Sequence, residues 1–443
     1  MKKIIVLGGG ESGVGAALLA KSKGFETFLS DAGSLSPFYK EKLEKNTIQF
    51  EENKHSEEKI LQADKIIISP GIPESNPLVQ KIIQRNIPIV SEIEFAAEFT
   101  QSRIIAITGS NGKTTTSLLV FHLLKQAGLN VALGGNIGYS FAELVLENQF
   151  DYYVLEVSSF QLDRCFKFKP HIAILTNITP DHLDRYDYEF DNYIQAKFRL
   201  FQSQTKEDLA ILWKEDPISS PYFKEIASHI LYFSSQDPAQ AAYIQEEYIL
   251  VGDCTIPHQI FPIKGPHNAK NMAAAVIAAK NCGLSYQEIL DYLPSFKNDP
   301  HRLEFCGKWM GIDFINDSKA TNTDSVFYAL NSFKKNIILI IGGIDKGNNY
   351  DKIDSLVRER VKSLVFLGKN NQKLLDYYKN HPIPYFSTDS LEEAFEKIKS
   401  FAENGDTVLL SPACASFDLF KNYQDRGNQF KKLVDELIHG KQI

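Results

Sequence analysis

The stretch Thr108-Gly109-Ser110-Asn111-Gly112-Lys113-Thr114-Thr115 follows a β-branched run, Ile104–Ile107, and precedes a helical pattern. It supplies the Gly-Lys-Thr end of a P-loop, although its glycine spacing is shorter than in G-x-x-x-x-G-K-[ST]. In such a loop backbone N–H groups hold phosphates, the lysine neutralises their charge, and the threonine hydroxyl ligates Mg²⁺. The stretch therefore predicts an ATP site in an α/β domain. Its members are Gly109, Ser110, Asn111, Gly112, Lys113, Thr114 and Thr115.

A second glycine-rich turn follows the first strand of the chain. Gly8-Gly9-Gly10-Glu11-Ser12-Gly13 matches G-x-G-x-x-G after the run Ile4–Leu7, and Asp31 lies near the offset of a ribose-binding acid. Taken alone, the match would indicate a nicotinamide dehydrogenase. Glycines and a helix N-terminus suit any nucleotide diphosphate, however. The match therefore indicates a nucleotide or dinucleotide site, and a purely structural role for the turn is the alternative. We expect the following helix to begin near Ala16.

Short β-branched runs alternate with helical patterns along most of the 443 residues, which is typical of parallel α/β architecture. A chain of this length is too long for one core. A new strand begins at Arg103, and a Pro-rich polar stretch, Leu293–Pro300, precedes a third α/β segment. We predict a Rossmann-like domain at 1–93, a central P-loop ATPase domain at 94–298 and a Rossmann-like C-terminal domain at 299–443.

Composition narrows the class of protein. The 48 basic and 55 acidic side chains give a net charge of −7. Nucleic-acid-binding proteins usually carry an excess of basic side chains, so this composition argues against that class. The five cysteines include no C-x-x-C pair, which indicates reduced thiols. No apolar run reaches the length of a membrane span, and the run after Lys2-Lys3 is too short for a signal peptide. We expect a cytoplasmic monomer without nucleic-acid or membrane partners.

A P-loop needs a further metal ligand on a neighbouring strand. Glu156 lies near the end of the predicted strand Tyr152–Val157, where parallel sheets place their ligands, although a structural cap is the alternative. His182 lies in a loop after the predicted strand Ile172–Thr176. It is a candidate metal ligand or substrate contact, or else an ordinary surface histidine.

Seven motifs in the predicted central and C-terminal domains carry a family resemblance. They are T-G-S-N-G-K-T-T (108–115), G-G-N-I-G (134–138), L-E-V-S-S-F-Q-L (155–162), N-I-T-P-D-H-L-D-R (177–185), Y-I-Q-A-K (193–197), G-P-H-N (265–268) and P-H-R-L-E (300–304). Together they resemble the Mur ligases, the ATP-dependent enzymes that extend the peptide of peptidoglycan precursors. I-N-D-S-K-A-T-N (315–322) and S-P-A-C-A-S-F-D-L-F (411–420) resemble the branch that adds D-glutamate to UDP-N-acetylmuramoyl-L-alanine.

The resemblance implies a reaction and its cofactors. The substrate carboxylate attacks the γ-phosphate of ATP to give an acyl phosphate, and the amine of D-glutamate then displaces phosphate. Two Mg²⁺ ions are implied, with Thr114, Glu156 and His182 among the ligands. The remaining implied ligand is Lys197 as a carbamate formed with CO₂, whereas without the resemblance Lys197 would be an ordinary solvated helix residue. Lys113, Glu156, His182 and Lys197 are the implied catalytic residues.

The resemblance also assigns the remaining contacts, each as an expectation. Candidate ATP contacts outside the P-loop are Asn268, Arg302 and Asp317. Candidate UDP-substrate contacts are Ser12, Asp31, Ser69, Gly71, Asn136 and His182. Candidate D-glutamate contacts are Lys319, Thr321, Lys346, Ser416, Phe417 and Tyr423. An ion pair with Asp345 is the structural alternative for Lys346.

Three other functions remain open at this point. Another amide ligase of the same superfamily, such as the L-alanine-adding ligase or a folylpolyglutamate synthase, would use the same ATP site. A nicotinamide oxidoreductase would use the first glycine turn and leave the P-loop without a purpose. A non-catalytic nucleotide-binding regulator is the third alternative.

Overall fold

The computed structural model of the protein describes residues 2–147, 149–263, 265–345 and 347–440. Within these ranges the strands form three sheets of five, nine and six strands. The chain divides into two compact units, Met1–Pro262 with Ala269–Phe296, and Ile263–Asn268 with Lys297–Ile443. The first unit holds two sheets and the second unit holds one. The three predicted α/β segments are confirmed, and the exact boundaries at residues 93 and 298 stay a prediction.

The first sheet is parallel, in the order β3-β2-β1-β4-β5. Its strands are β1 (Lys3–Leu7), β2 (Glu26–Ser30), β3 (Gln49–Glu51), β4 (Lys65–Ile68) and β5 (Ile89–Ser91), and the helices are α1 (Glu11–Ser22), α2 (Pro37–Lys45), α3 (Glu57–Ile60), α4 (Pro77–Gln84) and α5 (Glu92–Ala97). The chain runs outward from β1 to β3 and then returns to β4 on the other side of β1. Ligands of such sheets bind at this switch point, outside the carboxyl ends of β1 and β4.

Helix α1 begins at Glu11, five residues before the predicted start near Ala16. The prediction was wrong because it treated the glycines as part of a turn. Gly13 and Gly15 are buried helical residues that allow close packing. A Cβ at Gly13 would lie 1.8 Å from the carbonyl oxygen of Gly8, and one at Gly15 would lie 2.1 Å from Oγ of Ser140.

The second sheet has the order β14-β13-β12-β11-β10-β9-β6-β8-β7 and is parallel from β7 to β12. Its strands are β6 (Arg103–Thr108), β7 (Val131–Gly135), β8 (Tyr152–Glu156), β9 (Ile172–Leu175), β10 (Leu209–Trp213), β11 (His229–Ser234), β12 (Ala242–Ile244), β13 (Tyr248–Val251) and β14 (Cys254–Pro257). The associated helices are α6 (Lys113–Gln126), α7 (Phe141–Glu147), α8 (Ser159–Leu162), α9 (Phe190–Phe198), α10 (Pro266–Asn281) and α11 (Tyr286–Tyr292). The P-loop strand β6 therefore lies between β9 and β8.

The third sheet has the order β15-β16-β20-β17-β18-β19, antiparallel only between β15 and β16. Its strands are β15 (Glu304–Trp309), β16 (Ile312–Asn316), β17 (Ile337–Gly342), β18 (Val361–Leu367), β19 (Tyr385–Thr388) and β20 (Thr407–Ala413), and its helices are α12 (Thr323–Asn331), α13 (Asp351–Arg360), α14 (Gln372–Tyr378), α15 (Leu391–Phe401) and α16 (Tyr423–His439). Strand β17 is buried along its whole length, as expected for a parallel sheet covered on both faces.

The remaining sequence expectations concern cysteines and membranes. All five cysteines are free thiols, and Cys165, Cys254 and Cys414 are buried. Among the described helices, none has both the length and the apolar character needed to cross a membrane.

Candidate functional site

The P-loop connects β6 to α6 through two glycines that no other residue could replace without strain. Gly109 has φ +146°, and a Cβ there would lie 2.0 Å from Oγ1 of Thr176. Gly112 has φ +86° and is the N-cap of α6. The loop thus ends at the positive end of a 14-residue helix, which is the geometry that binds phosphate.

The predicted ATP contacts of this loop lie together. The side chain of Lys113 folds over its own loop, where Nζ donates hydrogen bonds to the carbonyl oxygens of Gly109 (2.7 Å) and Ser110 (2.9 Å). Thr114 and Thr115 are buried in the first turn of α6. The Lys113 ammonium group is therefore held at the phosphate-binding loop.

The segment after β9 holds the P-loop in place, a role that sequence reasoning missed. Backbone N–H of Ser110 donates to the carbonyl oxygen of Asn177 (2.9 Å), and N–H of Asn111 donates to Oδ1 of the same residue (3.0 Å). Oγ1 of Thr176 donates to the carbonyl oxygen of Asn111 (2.6 Å), and Oγ of Ser110 donates to that of Thr179 (2.8 Å). The sequence does show a polar run directly after β9. It indicates contact with the P-loop only when the pairing of β9 with β6 is known.

Glu156 ends β8, opposite Ile107 of β6, so it lies at the same sheet edge as the P-loop. Its side chain is 2% exposed. Oε1 accepts a 2.7 Å hydrogen bond from Nδ2 of Asn136, whereas the buried Oε2 has no hydrogen-bond partner among the described residues. A buried carboxylate oxygen without a donor is costly unless a cation or ligand completes its environment.

These residues fit a magnesium ion shared with a nucleotide. The described residues contain no group of three His, Cys, Asp or Glu side chains that could hold a metal by themselves. Mg²⁺ is commonly bound by one or two carboxylates together with substrate phosphates and water. One orphaned oxygen on Glu156, beside a phosphate-binding loop, matches that pattern.

Lys197 is fully buried, although it belongs to an otherwise ordinary helix, α9. Nζ donates a 2.9 Å hydrogen bond to the carbonyl oxygen of Gly109 and lies 4.5 Å from the ring centroid of Tyr193. Burial, and then the nearby charge of Lys113, holds the pKa of Lys197 well below its usual range. Lys197 therefore reaches the P-loop from another element, whereas its predicted carbamate stays a prediction.

His182 adopts a left-handed backbone conformation, with φ +53°. Its exposed ring packs edge to face against Phe160, with centroids 5.1 Å apart, and its Nε2 lies 3.7 Å from Oδ2 of Asp181. The guanidinium of Arg185 covers the same Phe160 ring at 4.5 Å and donates to the carbonyl oxygen of Pro70 (3.2 Å). This loop therefore contacts the turn after β4.

The candidate UDP-substrate residues lie largely around the switch point of the first sheet. Oγ of Ser69 donates to the carbonyl oxygen of Gly8 (3.4 Å), so the turns after β4 and β1 touch. Gly71 is exposed beside Ser69, and Ser12 is half-buried in the first turn of α1. The Asp31 carboxylate accepts hydrogen bonds from backbone N–H groups of Gly9 and Gly33, and thereby fixes the glycine turn.

The second unit contains the other candidate ATP contacts, Asn268, Arg302 and Asp317. Asn268 is buried, and Arg302 is half-buried. Asp317 follows β16, where Oδ2 accepts a 2.8 Å hydrogen bond from Oγ of Ser411. Burial raises the pKa of Asp317 to about 7, against the lowering effects of the Ser411 hydroxyl and the Arg302 charge.

The candidate D-glutamate residues follow β16 and β20, which are neighbouring parallel strands. Nζ of Lys319 forms a 2.7 Å ion pair with Asp299 and lies 5.5 Å from the ring centroid of Tyr423. Ser416 is buried, Thr321 is half-buried, and Phe417 is 68% exposed.

Lys346 lies outside the described residues. Its neighbour Asp345 accepts hydrogen bonds from Nζ of Lys373 (2.8 Å) and from the hydroxyl of Tyr350 (2.7 Å). Asp345 therefore already has a cationic partner in Lys373.

A buried arginine that sequence reasoning missed joins the segments that carry these candidates. Arg426, in α16, is 1% exposed. Its guanidinium donates to the carbonyl oxygen of Ser318 (2.8 Å) and to that of Cys414 (3.3 Å). Oγ of Ser318 in turn donates to the carbonyl oxygen of Tyr423 (2.8 Å). Only the third-sheet topology brings these residues together.

Family models match all three segments of the chain. A model described as "Mur ligase MurD-like, N-terminal domain" matches residues 2–91, "Mur ligase middle domain" matches 107–279, and "Mur ligase, glutamate ligase domain" matches 301–414. The matches cover the P-loop, Glu156 and Lys197 in the middle segment.

Full-length relatives are 37–48% identical to this chain. A protein of Bacteroides fragilis is 48% identical over 444 residues, covering 99% of this chain and 100% of the relative. One of Cytophaga hutchinsonii is 48% identical with 98% and 99% covered, and one of Salinibacter ruber is 37% identical with 98% and 97% covered. All three are named UDP-N-acetylmuramoylalanine–D-glutamate ligase.

Solved structures show the same fold at lower identity. The UDP-N-acetylmuramate–alanine ligase of Thermotoga maritima has a TM-score of 0.64 at 19% identity, covering 98% of this chain and 100% of that one. A pseudomurein peptide ligase of Methanothermus fervidus has a TM-score of 0.63 at 19% identity, with 99% and 100% covered. From the three family models and the full-length relatives, we conclude that this chain belongs to the Mur ligase family.

Proposed function

We propose that the protein is an ATP-dependent amide ligase that adds D-glutamate to UDP-N-acetylmuramoyl-L-alanine and releases ADP and phosphate. The observation that carries the proposal is 48% identity over nearly the full length to relatives named for this reaction. The geometry of the first unit supports it, because a P-loop, an orphaned carboxylate oxygen on Glu156 and a buried lysine, Lys197, lie at one sheet edge.

The first step joins two anions. The L-alanyl carboxylate attacks the γ-phosphorus of ATP, the bond to the β–γ bridging oxygen breaks, and ADP leaves with that electron pair. The P-loop backbone and the α6 N-terminus hold the phosphates, and Lys113 offsets the charge that develops on them. Asn268, Arg302 and Asp317 are the proposed contacts to the rest of the nucleotide.

Thr114 and Glu156 would hold Mg²⁺, with His182 and carbamoylated Lys197 as ligands of a second ion. Bound Mg²⁺ supplies positive charge to the phosphate oxygens. Within the chain, Asn136 holds one oxygen of Glu156 and leaves the other available.

The state of Lys197 is the second part of the proposal. A neutral amine reacts with CO₂ to give a carbamate and one proton, which replaces a potential cation by an anion. Burial and the neighbouring Lys113 favour the neutral amine that this reaction needs. A carbamate beside Lys113 would also replace repulsion by attraction.

The UDP-substrate would occupy the switch point of the first sheet. Ser12 and Ser69 belong to or contact the glycine turn, and we propose that Gly71, Asn136 and His182 complete the substrate contacts. Asp31 would act on the substrate through the turn that it fixes, in addition to any direct contact with uracil.

The second step forms the amide. The amine of D-glutamate attacks the acyl carbon, loses a proton, and phosphate leaves with the electrons of the carbon–oxygen bond. D-glutamate carries two carboxylates, so cationic and hydroxyl groups suit its pocket. Lys319, Thr321, Lys346 and Ser416 provide these groups, with Phe417 and Tyr423 as walls.

The proposed setting is peptidoglycan precursor synthesis in the cytoplasm. We propose that the protein works there as a monomer on small-molecule substrates, without nucleic-acid or membrane partners.

Phosphate release tests the proposal when ATP, Mg²⁺ and UDP-N-acetylmuramoyl-L-alanine are supplied with D-glutamate, with L-glutamate or with no amino acid. We expect release, and a ligated product by mass, only with D-glutamate. Turnover with another acceptor would favour a different amide ligase of the superfamily. No turnover with any acceptor would favour a nucleotide-binding regulator.

A further inference from the structure

Glu92 is a buried carboxylate at the point where the first sheet gives way to the second. It is the first residue of α5 and is 3% exposed. Its Oε1 accepts a 2.7 Å hydrogen bond from Oγ of Ser140 and another from backbone N–H of Ala142. Glu92 thus binds the start of α7, which is 48 residues away in the sequence.

The loop that leads into α7 is tightly closed. Backbone N–H of Gly135 donates to the carbonyl oxygen of Tyr139 (3.0 Å). A Cβ at Gly134 would lie 2.6 Å from that same oxygen, and a Cβ at Gly138 would lie 2.9 Å from the carbonyl oxygen of Leu133. A loop packed this closely has little room to deform, so we expect a shift at Ser140 to be transmitted along the loop to Asn136.

The other end of this loop holds Glu156. Backbone N–H of Asn136 donates to the carbonyl oxygen of Glu156 (2.8 Å), and Nδ2 donates to its Oε1 (2.7 Å). Gly135, with φ +95°, lies so close that a Cβ would be 2.3 Å from the same carbonyl oxygen. The position of Glu156 is therefore coupled to the position of the loop.

We propose that Glu92 is a positioning residue for Glu156, acting through Ser140, the loop 134–140 and Asn136. Glu92 touches neither the P-loop nor any candidate substrate contact in the bonds that the structure gives for it. It fixes the far end of the loop, and the near end aims the orphaned oxygen of Glu156. The inference rests on the proposed function, since it assigns Glu156 to Mg²⁺.

Glu94 provides a matched control in the same helix. It is also buried, at 5% exposure, and its carboxylate accepts hydrogen bonds from backbone N–H of Lys167 and Phe168. Removing it costs buried hydrogen bonds of the same kind but leaves the loop 134–140 anchored. A general loss of stability would therefore appear in both variants, whereas a loss of Mg²⁺ affinity would appear in only one.

The test is calorimetric binding of ADP to the purified full-length protein, with Mg²⁺ and with chelator. We expect Glu92→Ala to weaken ADP binding about fivefold with Mg²⁺ and not at all with chelator. This loss is smaller than the roughly 10- to 100-fold loss of affinity that follows removal of a residue hydrogen-bonded directly to a metal ligand. Glu92→Gln, which keeps an acceptor oxygen, should bind as the unmodified protein does. Glu94→Ala should retain the full effect of Mg²⁺.

A double-mutant cycle makes the pathway itself testable. If Glu92 acts through the side-chain hydrogen bond from Asn136 Nδ2 to Glu156, then Glu92→Ala added to Asn136→Ala should cause no further loss of Mg²⁺-dependent binding. Ser140→Ala, a milder change, should show part of the effect if Glu92→Ala fails to fold. Additive losses, or an equal loss in Glu94→Ala, would overturn the inference. Because the readout is ADP binding, it does not depend on which amino acid the enzyme adds.

Discussion

The Nζ atom of Lys197 lies 2.9 Å from the carbonyl oxygen of Gly109, so a fully buried lysine on α9 contacts the first glycine of the P-loop. Burial disfavours the charged form of a lysine, so a completely buried lysine is unfavourable unless its charge is removed or compensated. The proposed carbamate gives one, because it converts the side chain into an anion next to Lys113.

Replacing Lys197 should abolish most of the activity. We expect Lys197→Ala to lower kcat by about 100-fold or more, as for loss of a group that stabilises developing charge. Lys125→Ala, an exposed lysine of α6, is the control and should be neutral. A ¹³C-labelled bicarbonate spectrum should show a carbamate signal that is absent from Lys197→Ala, and an identical signal in both proteins would contradict the assignment.

Replacing Glu156 should remove the effect of Mg²⁺ on nucleotide binding. Glu156→Gln keeps the size of the side chain and an acceptor for Asn136, but it loses the charge of the orphaned oxygen. We expect ADP to bind equally with Mg²⁺ and with chelator. Glu143→Gln on α7 should retain the Mg²⁺ effect. A normal Mg²⁺ dependence in Glu156→Gln would exclude it as a ligand.

Two glycines with positive φ should respond differently to alanine. A Cβ at Gly128 would have no atom within 4 Å, so Gly128→Ala should lower the free energy of unfolding only through its left-handed backbone (φ +77°), by about 1 kcal/mol. Gly109→Ala adds a collision with Thr176, which raises the loss of stability by about 1–3 kcal/mol and distorts the P-loop. Urea unfolding and ATP binding measure both effects. Equal stability of the two variants would contradict the expected collision with Thr176.

Asp317 should make stability depend on pH. Its pKa is raised to about 7 in the folded protein, so its protonated form favours folding. This contribution is complete below the unfolded pKa of about 3.9 and is lost as pH rises through about 7. Relative to Asp317→Asn, the unmodified protein should lose up to about 1.4 kcal/mol per pH unit within that window. A difference between the two proteins that stays constant from pH 4 to 8 would contradict the shift.

The sequence was most informative where function and local pattern coincide. The run from Ile104 to Thr115 predicted strand, loop and helix correctly because the glycines, the lysine and the apolar run are all adjacent. The position of Glu156 at a strand end was also predictable. Each of these features depends on neighbours within a few residues.

Contacts between distant segments were not predictable. Asn136 meets Glu156 across 20 residues, Ser140 meets Glu92 across 48, and Ser110 meets Thr179 across 69. These pairs follow from strand order, which no single local pattern encodes. The early start of α1 was missed for a related reason, since Gly15 is needed for packing against Ser140 of another element.

One reaction tests the central claim most directly. UDP-N-acetylmuramoyl-L-alanine labelled with ¹⁸O in its carboxylate is incubated with ATP, Mg²⁺ and D-glutamate, and both products are weighed by mass spectrometry. The account predicts a product larger by one glutamate residue and one ¹⁸O atom in the released phosphate, because the acyl phosphate passes a carboxylate oxygen to phosphorus. Unlabelled phosphate would contradict the mechanism, and no glutamate-containing product would contradict the proposed function.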